Sequence, residues 1–236
     1  MQPREAARLL ELRRDAGAGR RRTERMAGYG LLGLVFESGH VLAFRRFTAS
    51  SIGPPYLSIW HRQPDGRWEI HTNVEPARAC PRYFGPALHA YRVDEIDITW
   101  NGTAELSIVA ARARLHLALR LQGTPLTRML GVVSRAAPYA LLEQRRSGAI
   151  AGHILGAGRM TLAGTAPAGH RFVIRPHALW RVAAAAAVID GHDLGAVAVP
   201  PDQPSLGSFL IPRRGLFATG HVEFTPLAPA AQLVPS

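Results

Sequence analysis

The 236-residue sequence contains no lysine, since all 28 of its basic residues are arginine. Without lysine the chain cannot form a Schiff base or a pyridoxal phosphate aldimine, and it cannot contain a Walker A loop. Alanine, glycine and proline are abundant, so the preference for arginine is typical of a GC-rich bacterial genome.

Cysteine occurs once, as Cys80, which excludes an internal disulfide and a cysteine-rich zinc site. The ten histidines show no ligand spacing along the chain, so we expect no metal and no cofactor, although histidines from different strands could still meet. No apolar run approaches the ~20 residues of a membrane-spanning helix. No apolar core follows the N-terminal arginines, as it would in a secretory signal. We therefore expect a cytoplasmic protein without a transmembrane segment.

The net charge of +11 is compatible with a polyanionic partner. The charge is not gathered with interleaved aromatic residues, as nucleic-acid binding would require. Its densest cluster, Arg20 to Arg22, lies in a segment at 15–29 that is typical of a flexible linker. We favour a solvated basic arm there, and no nucleic-acid partner is favoured.

Short runs of branched and aromatic residues, bounded by glycine and proline, predict strands along most of the chain. Asn101-Gly102 predicts a hairpin, and a three-residue loop would place the apolar residues of both its strands on one face. In the strand that follows, Leu115, Leu117, Leu119 and Leu121 alternate with polar residues and are predicted to point inward. The predicted strands cover 40–47, 55–62, 67–75, 92–100, 104–110, 113–121, 159–164, 170–176 and 216–224.

A helix is predicted at about 125–147, with Thr124 as its N-cap. Pro138 should kink or restart this helix, and Gly148 should end it. Residues 179–190 are ambiguous, because their five consecutive alanines favour helix whereas the neighbouring strands and the Asp-Gly turn favour strand. We prefer strand.

These elements predict a mainly β fold, an antiparallel β-barrel or strongly curved sheet of the lipocalin-like kind, with one long kinked helix inserted and a short N-terminal helix. The expected organisation is an N-terminal helix and basic linker at 1–29, a single β-rich domain at 30–225, and a disordered tail at 226–236.

The hairpin at 55–75 carries the most informative pattern. If the turn at 63–66 has four residues, Arg62 pairs with Arg67 and one face of the hairpin is apolar. The opposite face would mix aromatic, hydroxyl, imidazole and carboxylate groups, as ligand cavities do, with His71 beside Glu69 or Glu75 as general acid or base. A solvated face is the alternative. The mixed face would consist of Tyr56, Ser58, Trp60, Glu69, His71, Asn73 and Glu75.

Prolines and a glycine make the segment at 75–88 stiff, because proline ends the preceding strand and restricts the backbone. We expect this segment to form the rim of the cavity. Arg82, Tyr83 and Phe84 would contact ligand there, with Arg82 holding an anionic or carbonyl group. A rigid structural connection is the alternative. Cys80 has no signature of a catalytic cysteine around it, so we do not expect it to be the nucleophile.

Two segments, "GLFATGHVEFTPL" at 215–227 and "SIWHRQPDGRWEIHT" at 58–72, resemble parts of lipocalin-like proteins of the carotenoid-hydratase and tocopherol-cyclase type. The resemblance implies a β-barrel with a hydrophobic pocket, and cofactor-free members hydrate, cyclise or isomerise apolar metabolites. The chain is shorter than the usual two-barrel members, and its central helix departs from their pattern. No catalytic residue can be assigned by position.

The leading functional hypothesis is a cofactor-independent lyase or isomerase that acts on a hydrophobic small molecule, such as a terpenoid or polyketide-like metabolite. It would hydrate, cyclise or shift a double bond by proton transfer. A non-catalytic carrier of an apolar ligand is the second hypothesis, and a weak anion or nucleic-acid binder is the third. A homodimer is compatible with all three.

Overall fold

The computed structural model describes residues 1–12, 23–142 and 144–227. The helices are α1 (Pro3–Glu11), α2 (Pro81–Phe84), α3 (Pro125–Ala136), α4 (Tyr139–Leu142) and α5 (Arg145–Ile154), with 3-10 turns at Pro76–Arg78 and Gly85–Ala87. The strands are β1 (Glu24–Phe36), β2 (Val41–Ser50), β3 (Tyr56–Arg62), β4 (Trp68–Thr72), β5 (Ala90–Val93), β6 (Ile96–Trp100), β7 (Glu105–Ala110), β8 (Leu115–Gln122), β9 (Ala163–Ala166), β10 (His170–Ile189), β11 (His192–Asp193), β12 (Val197–Ala198), β13 (Ser205–Leu206), β14 (Phe209–Leu210) and β15 (Leu216–Pro226).

Ten strands follow one path through a curled sheet, in the order β5-β4-β3-β2-β1-β15-β10-β8-β7-β6. Neighbours on this path are antiparallel except β4 and β5, which are parallel. The short strands β9 and β11 pair with β10, β12 pairs with β1, and β13 and β14 form a separate ribbon. The sheet forms a half-barrel, which confirms the predicted mainly β, strongly curved fold.

The curl separates two layers of apolar side chains. The inner cluster contains residues from both halves of the strand path, such as Ile59 of β3 and Ile108 of β7, which can meet only inside the curl. The N-terminal helix α1 adds Ala6 and Leu10 to this cluster. A second cluster covers the outer face of β1 to β4 and β15 and includes Trp60. Successive side chains along one of these strands therefore point alternately into the inner and the outer cluster.

Asp94, between β5 and β6, joins the two ends of the strand path. Its buried carboxylate accepts the backbone N–H groups of Arg112 at 2.7 Å and Ala113 at 2.9 Å, both in the turn between β7 and β8. The same carboxylate lies 3.1 Å from the ring Nδ1 of His71 in β4. A carboxylate that accepts several N–H groups forms strong, charge-assisted bonds. Asp94 therefore holds the curl closed at this end.

Several sequence predictions are confirmed. Trp100 pairs with Leu106 and Ile98 with Ile108, so the apolar residues of that hairpin share the inner face. The four leucines of β8 are buried. Thr124 caps α3 by accepting the N–H of Thr127. The alanine-rich segment belongs to the 20-residue strand β10, where pairing with β8 outweighs the helical propensity of alanine.

The predicted linker at 15–29 extends too far. Residues 24–29 form the start of β1, while residues 13–22 and most of the predicted tail lie outside the described residues. Gly28, inside the predicted linker, and Gly30, just beyond it, mark close backbone approach instead. A Cβ at these positions would lie 2.0 Å from the carbonyl oxygen of Arg46 and 2.2 Å from that of Phe44.

The helical insertion consists of three short helices rather than one kinked helix, with a break at Pro138. Gly148 does not end it. This residue lies inside α5, where a Cβ would come within 2.1 Å of the Met160 carbonyl oxygen. The glycine permits close contact with the backbone at Met160. In the sequence, a glycine needed for such a contact looks the same as a glycine that ends a helix.

Gly148→Ala should destabilise the protein by about 2–4 kcal/mol, because its methyl group would strike backbone that cannot move aside. In an open helix the same change would stabilise by about 1 kcal/mol. Gly85→Ala is the matched control, since that residue has helical φ and ψ and open space around its Cβ position. Urea unfolding of the two variants measures the difference, and equal stabilities would contradict this view of α5.

Candidate functional site

The β3–β4 hairpin has a register one residue away from the predicted one. The turn contains three residues, Pro64–Gly66, and the N–H of Gln63 donates to the Arg67 carbonyl at 2.8 Å. Gly66 has φ +95°, the left-handed conformation that closes a three-residue hairpin loop. Arg62 therefore pairs with Trp68, and not with Arg67. Because side chains alternate, this shift moves one strand's side chains to the opposite face.

The predicted mixed face is therefore wrong. Tyr56, Ser58 and Trp60 share the outer face of the sheet, whereas Glu69 and His71 lie opposite His61 and Ile59 on the inner face. The structure separates the predicted binding residues of β3 from the predicted acid and base of β4.

A cavity of about 100 Å³ lies against the outer face, between the sheet, the segment at 80–84 and β14. Four of the predicted binding residues line it, together with Cys80. Ser58 adjoins it through its contact with Cys80. The four are Tyr56, Trp60, Tyr83 and Phe84. Further apolar walls come from Leu32, Phe47, Met160, Leu162, Phe172, Phe209, Val222 and Phe224.

Glycine forms part of the cavity floor. Gly28 pairs with Phe47 of β2 and with Gly220 of β15, and Gly30 pairs with Arg45. Gly28, Gly30 and Gly220 all line the cavity, so backbone rather than side chains forms this part of its surface.

Arg45 is the charged group of the cavity wall and is only 9% exposed. Its Nη1 donates to the carbonyls of Leu31 and Phe44. The guanidinium carbon lies 4.9 Å from the centre of the Trp60 ring and 5.5 Å from that of Phe209, so both aromatic faces attract the cation. Burial lowers the pKa of Arg45 to about 10, which leaves it charged at neutral pH.

Three proton-bearing groups meet beside this arginine. The Ser58 hydroxyl is 3.2 Å from the Cys80 sulfur, and the Tyr56 hydroxyl is 3.7 Å from it. Burial raises the pKa of Tyr56 well above its usual value. Burial also raises the pKa of Cys80, against the opposing effects of Ser58, Tyr56 and Arg45. Both groups therefore hold their protons at neutral pH, and a protonated thiol is a poor nucleophile.

The segment around α2 covers the cavity and is anchored to the start of β1. The Tyr83 ring stacks on Phe224 with centroids 3.6 Å apart, and its hydroxyl donates to Glu24 at 2.5 Å. Arg82 donates to the same carboxylate at 2.6 Å and 3.1 Å. Arg82 therefore serves as an anchor for this rim, and its guanidinium is engaged outside the cavity.

The two remaining predicted residues lie at the end of the hairpin, outside the cavity. Asn73 accepts the N–H of Leu57 at 2.7 Å through its side-chain oxygen. Glu75 is exposed and lies 3.6 Å from Arg78. Both contacts stabilise the turn into the segment at 75–88.

A row of imidazole and carboxylate groups lies on the opposite side of the β2–β4 strands. His40 and His61 share a 2.8 Å contact between ring nitrogens, and His71 lies 3.8 Å from Glu69 as well as bonding Asp94. Within the described part of the chain, no group of three His, Cys, Asp or Glu side chains could hold a metal ion. Burial, and then the neighbouring His40 and His71, lower the pKa of His61 to about 4.

The main site residue that sequence reasoning missed is Arg45. Its signal was present in "VLAFRRF" at 41–47, where alternation places one arginine of the pair on the same face as Phe47. The pattern could not decide which face would be covered. In the structure Arg45 faces the outer cluster, whereas its neighbour Arg46 binds Glu11 of α1.

No protein-family model matches the sequence, and no curated protein matches it. Among solved structures, the chain is similar to an acetoacetate decarboxylase from Legionella pneumophila subsp. pneumophila str. Philadelphia 1, with 9% identity and a TM-score of 0.40 over 92% of this chain and 91% of that one. It is also similar to CghA, solved with Sch210972, with 11% identity and a TM-score of 0.28 over 96% of this chain and 55% of that one.

The curled half-barrel sheet is consistent with the lipocalin-like resemblance, whereas the carotenoid-hydratase type is not confirmed. In the described ranges, no helix is both long and apolar enough to cross a bilayer.

His61 should make the protein less stable in acid. Its pKa is about 6.5 when unfolded and about 4 when folded, so the unfolded chain binds a proton first as the pH falls. This group's contribution is present above pH 6.5 and is lost progressively down to pH 4, by about 3 kcal/mol in total.

Urea unfolding at pH 7.5 and 4.5 tests this pH dependence. His61→Gln keeps an amide nitrogen for the contact with His40 but does not titrate, so it should lose about 2–3 kcal/mol less than the wild type between these pH values. His116→Gln, at an exposed histidine of β8, is the control and should behave as the wild type does. The same pH dependence in all three proteins would count against a buried, neutral His61.

Proposed function

We propose that this protein is a cofactor-independent lyase or isomerase that acts on a small apolar molecule carrying a carbonyl group. The observation that supports this most directly is the composition of the cavity, whose apolar walls surround one buried cation and a cluster of protonated hydroxyl and thiol groups. Cavities of this kind, with a few convergent polar groups, bind small organic molecules.

Each polar group has a role in such a reaction. Arg45 would stabilise the negative oxygen that forms when a bond next to the carbonyl breaks, and a fixed cation in apolar surroundings stabilises such charge strongly. Tyr56, with its raised pKa, would return a proton to carbon. The cavity is also bordered by His221, whose ring bonds His177 at 3.1 Å. This imidazole is our candidate for taking up the proton that carbon loses.

The sequence-based assignment of His71, Glu69 and Glu75 as catalytic residues stays a prediction. None of the three lines the cavity. His71 instead supports Asp94, the residue that joins the sheet ends.

A carrier of an apolar ligand is the second candidate, because no carboxylate lines the described cavity to serve as a strong base. A carrier would bind without exchanging protons at carbon, so an exchange experiment distinguishes it from an enzyme.

The test is deuterium incorporation into 2-butanone and cyclopentanone in D₂O, followed by proton NMR. An enzyme of the proposed class should speed loss of the signals next to the carbonyl about 10-fold or more over buffer. Tyr56→Phe should lower that rate by about 10²-fold, since a positioned general acid contributes on that order.

Glu69→Gln is the matched control and should leave exchange unchanged, because Glu69 bonds Gln63 on the other side of the sheet. If Glu69→Gln abolishes exchange while Tyr56→Phe does not, the reaction occurs at the inner row of imidazoles. Ligand binding with no exchange in any protein would favour the carrier.

A further inference from the structure

The guanidinium of Arg45 has an unused donor. Its Nη2 is buried and has no hydrogen-bond partner among the described residues, whereas Nη1 bonds two carbonyls. A buried polar atom without a partner loses its favourable hydration with nothing in return, and the loss is larger when the atom is charged. Native proteins rarely keep such an atom unless something binds it.

The described part of the chain places no counter-ion beside this cation. In residues 1–12, 23–142 and 144–227, no carboxylate pairs with Arg45, and the groups acting on its charge are Cys80 and Tyr56, both protonated at neutral pH. The rings of Trp60 and Phe209 offset part of the lost hydration. Neither ring is a hydrogen-bond partner of Nη2.

A second donor lies beside the first. The indole Nε1 of Trp60 is buried and approaches the Cys80 sulfur, which lowers the pKa of that thiol, but no described residue meets it with hydrogen-bond geometry. Among the described side chains that line the cavity, Arg45 and Trp60 are the two with a buried, unpaired polar atom, and each of these atoms is an N–H donor. The chemical group that complements two donors and one positive charge is an oxyanion.

We propose that the cavity binds a small aliphatic monocarboxylate, whose carboxylate group takes the place of the missing counter-ion at Arg45 while its hydrocarbon part contacts the aromatic walls. This inference rests on the proposed function in taking the same cavity as the site, and it adds the class of ligand. A keto acid would combine this carboxylate with the carbonyl required above.

The size of the cavity limits the ligand. A dry cavity of about 150 Å³ holds benzene, which has six non-hydrogen atoms. By this ratio a volume of about 100 Å³ encloses roughly four such atoms, the size of acetate. The cavity is partly open, so one or two further carbons could lie at its mouth, which extends the range to butyrate. Inorganic anions such as sulfate lack the apolar part that the walls would contact.

Isothermal titration calorimetry and thermal unfolding of the full chain, at fixed ionic strength, test the proposal. The probes are acetate, propionate, butyrate and hexanoate, with butyramide as the uncharged analogue and sulfate as the inorganic anion. Propionate or butyrate should bind best, and at 100 times its Kd should raise the Tm by about 5–10 °C. Butyramide and sulfate should not bind.

Arg45→Met removes the charge and keeps an unbranched apolar side chain. It should weaken butyrate binding by at least ~30-fold. It should also raise the Tm of the ligand-free protein by about 3–8 °C, because replacing an uncompensated buried charge by an apolar group is commonly stabilising. Arg46→Met is the matched control on the other face of β2 and should bind butyrate normally.

Trp60→Phe retains the aromatic face under Arg45 and removes the second donor, so it should weaken butyrate binding several-fold with the fold intact. This variant also keeps the proposal testable if Arg45→Met does not fold. The proposal is overturned if no carboxylate binds, if butyramide binds as tightly as butyrate, or if either cavity variant binds butyrate as the wild type does.

The experiments can contradict the proposed reaction without contradicting the proposed ligand class, and the reverse. Proton exchange of neutral ketones without carboxylate binding would leave the proposed reaction in place and remove the carboxylate. Carboxylate binding without exchange would leave the ligand class in place and assign the protein as a carrier.

Discussion

The bonds of the Asp94 carboxylate hold the architecture together. By accepting two N–H groups from the β7–β8 turn while contacting His71 of β4, this one side chain ties strands from opposite ends of the sheet path. A sheet curled in this way has an inner face that fills its own core and an outer face that must be covered by other segments. The cavity lies where α2, β14 and the glycines of β1 and β15 meet on that outer face.

At Arg45, the proposed binding of a ligand and the stability of the fold have opposite requirements. Replacing a buried, unpaired charge by an apolar residue is often stabilising. At Arg45, aromatic rings stand where a structural arginine would have a carboxylate. Glu24, Arg82 and Tyr83 show the contrasting arrangement a short distance away, with every charge paired. The same chain therefore satisfies its charges at the rim and leaves one unsatisfied inside.

Much of the fold could be predicted from the sequence, because alternation and turn residues are local signals. The β6–β7 hairpin, the leucines of β8 and the Thr124 cap all follow from residues close together in the chain. Gly28 and Gly148 were misassigned for the opposite reason, since each meets backbone that is distant in sequence. A local pattern carries no information about such contacts.

The site was less predictable than the fold. A difference of one residue in the turn at Gly66 decides whether His71 shares a face with Tyr56. The aromatic residues could be predicted, because large aromatic groups beside a proline-rich segment tend to be buried. The role of Arg45 could not, since it depends on covering segments from 80–84 and 209–210 that come together only in the folded chain.

The complete reliance on arginine has a consequence for how this cavity behaves in a cell. A buried lysine can release its proton and become neutral, whereas a guanidinium stays charged at every physiological pH. The cavity therefore cannot relieve its charge by titration, whereas an anionic ligand of the proposed kind would compensate it. Because proteases and chaperones act on the unfolded fraction, occupied molecules would persist longer than empty ones. The cellular amount of the protein would then follow the supply of its ligand, a form of feedback that needs no regulator.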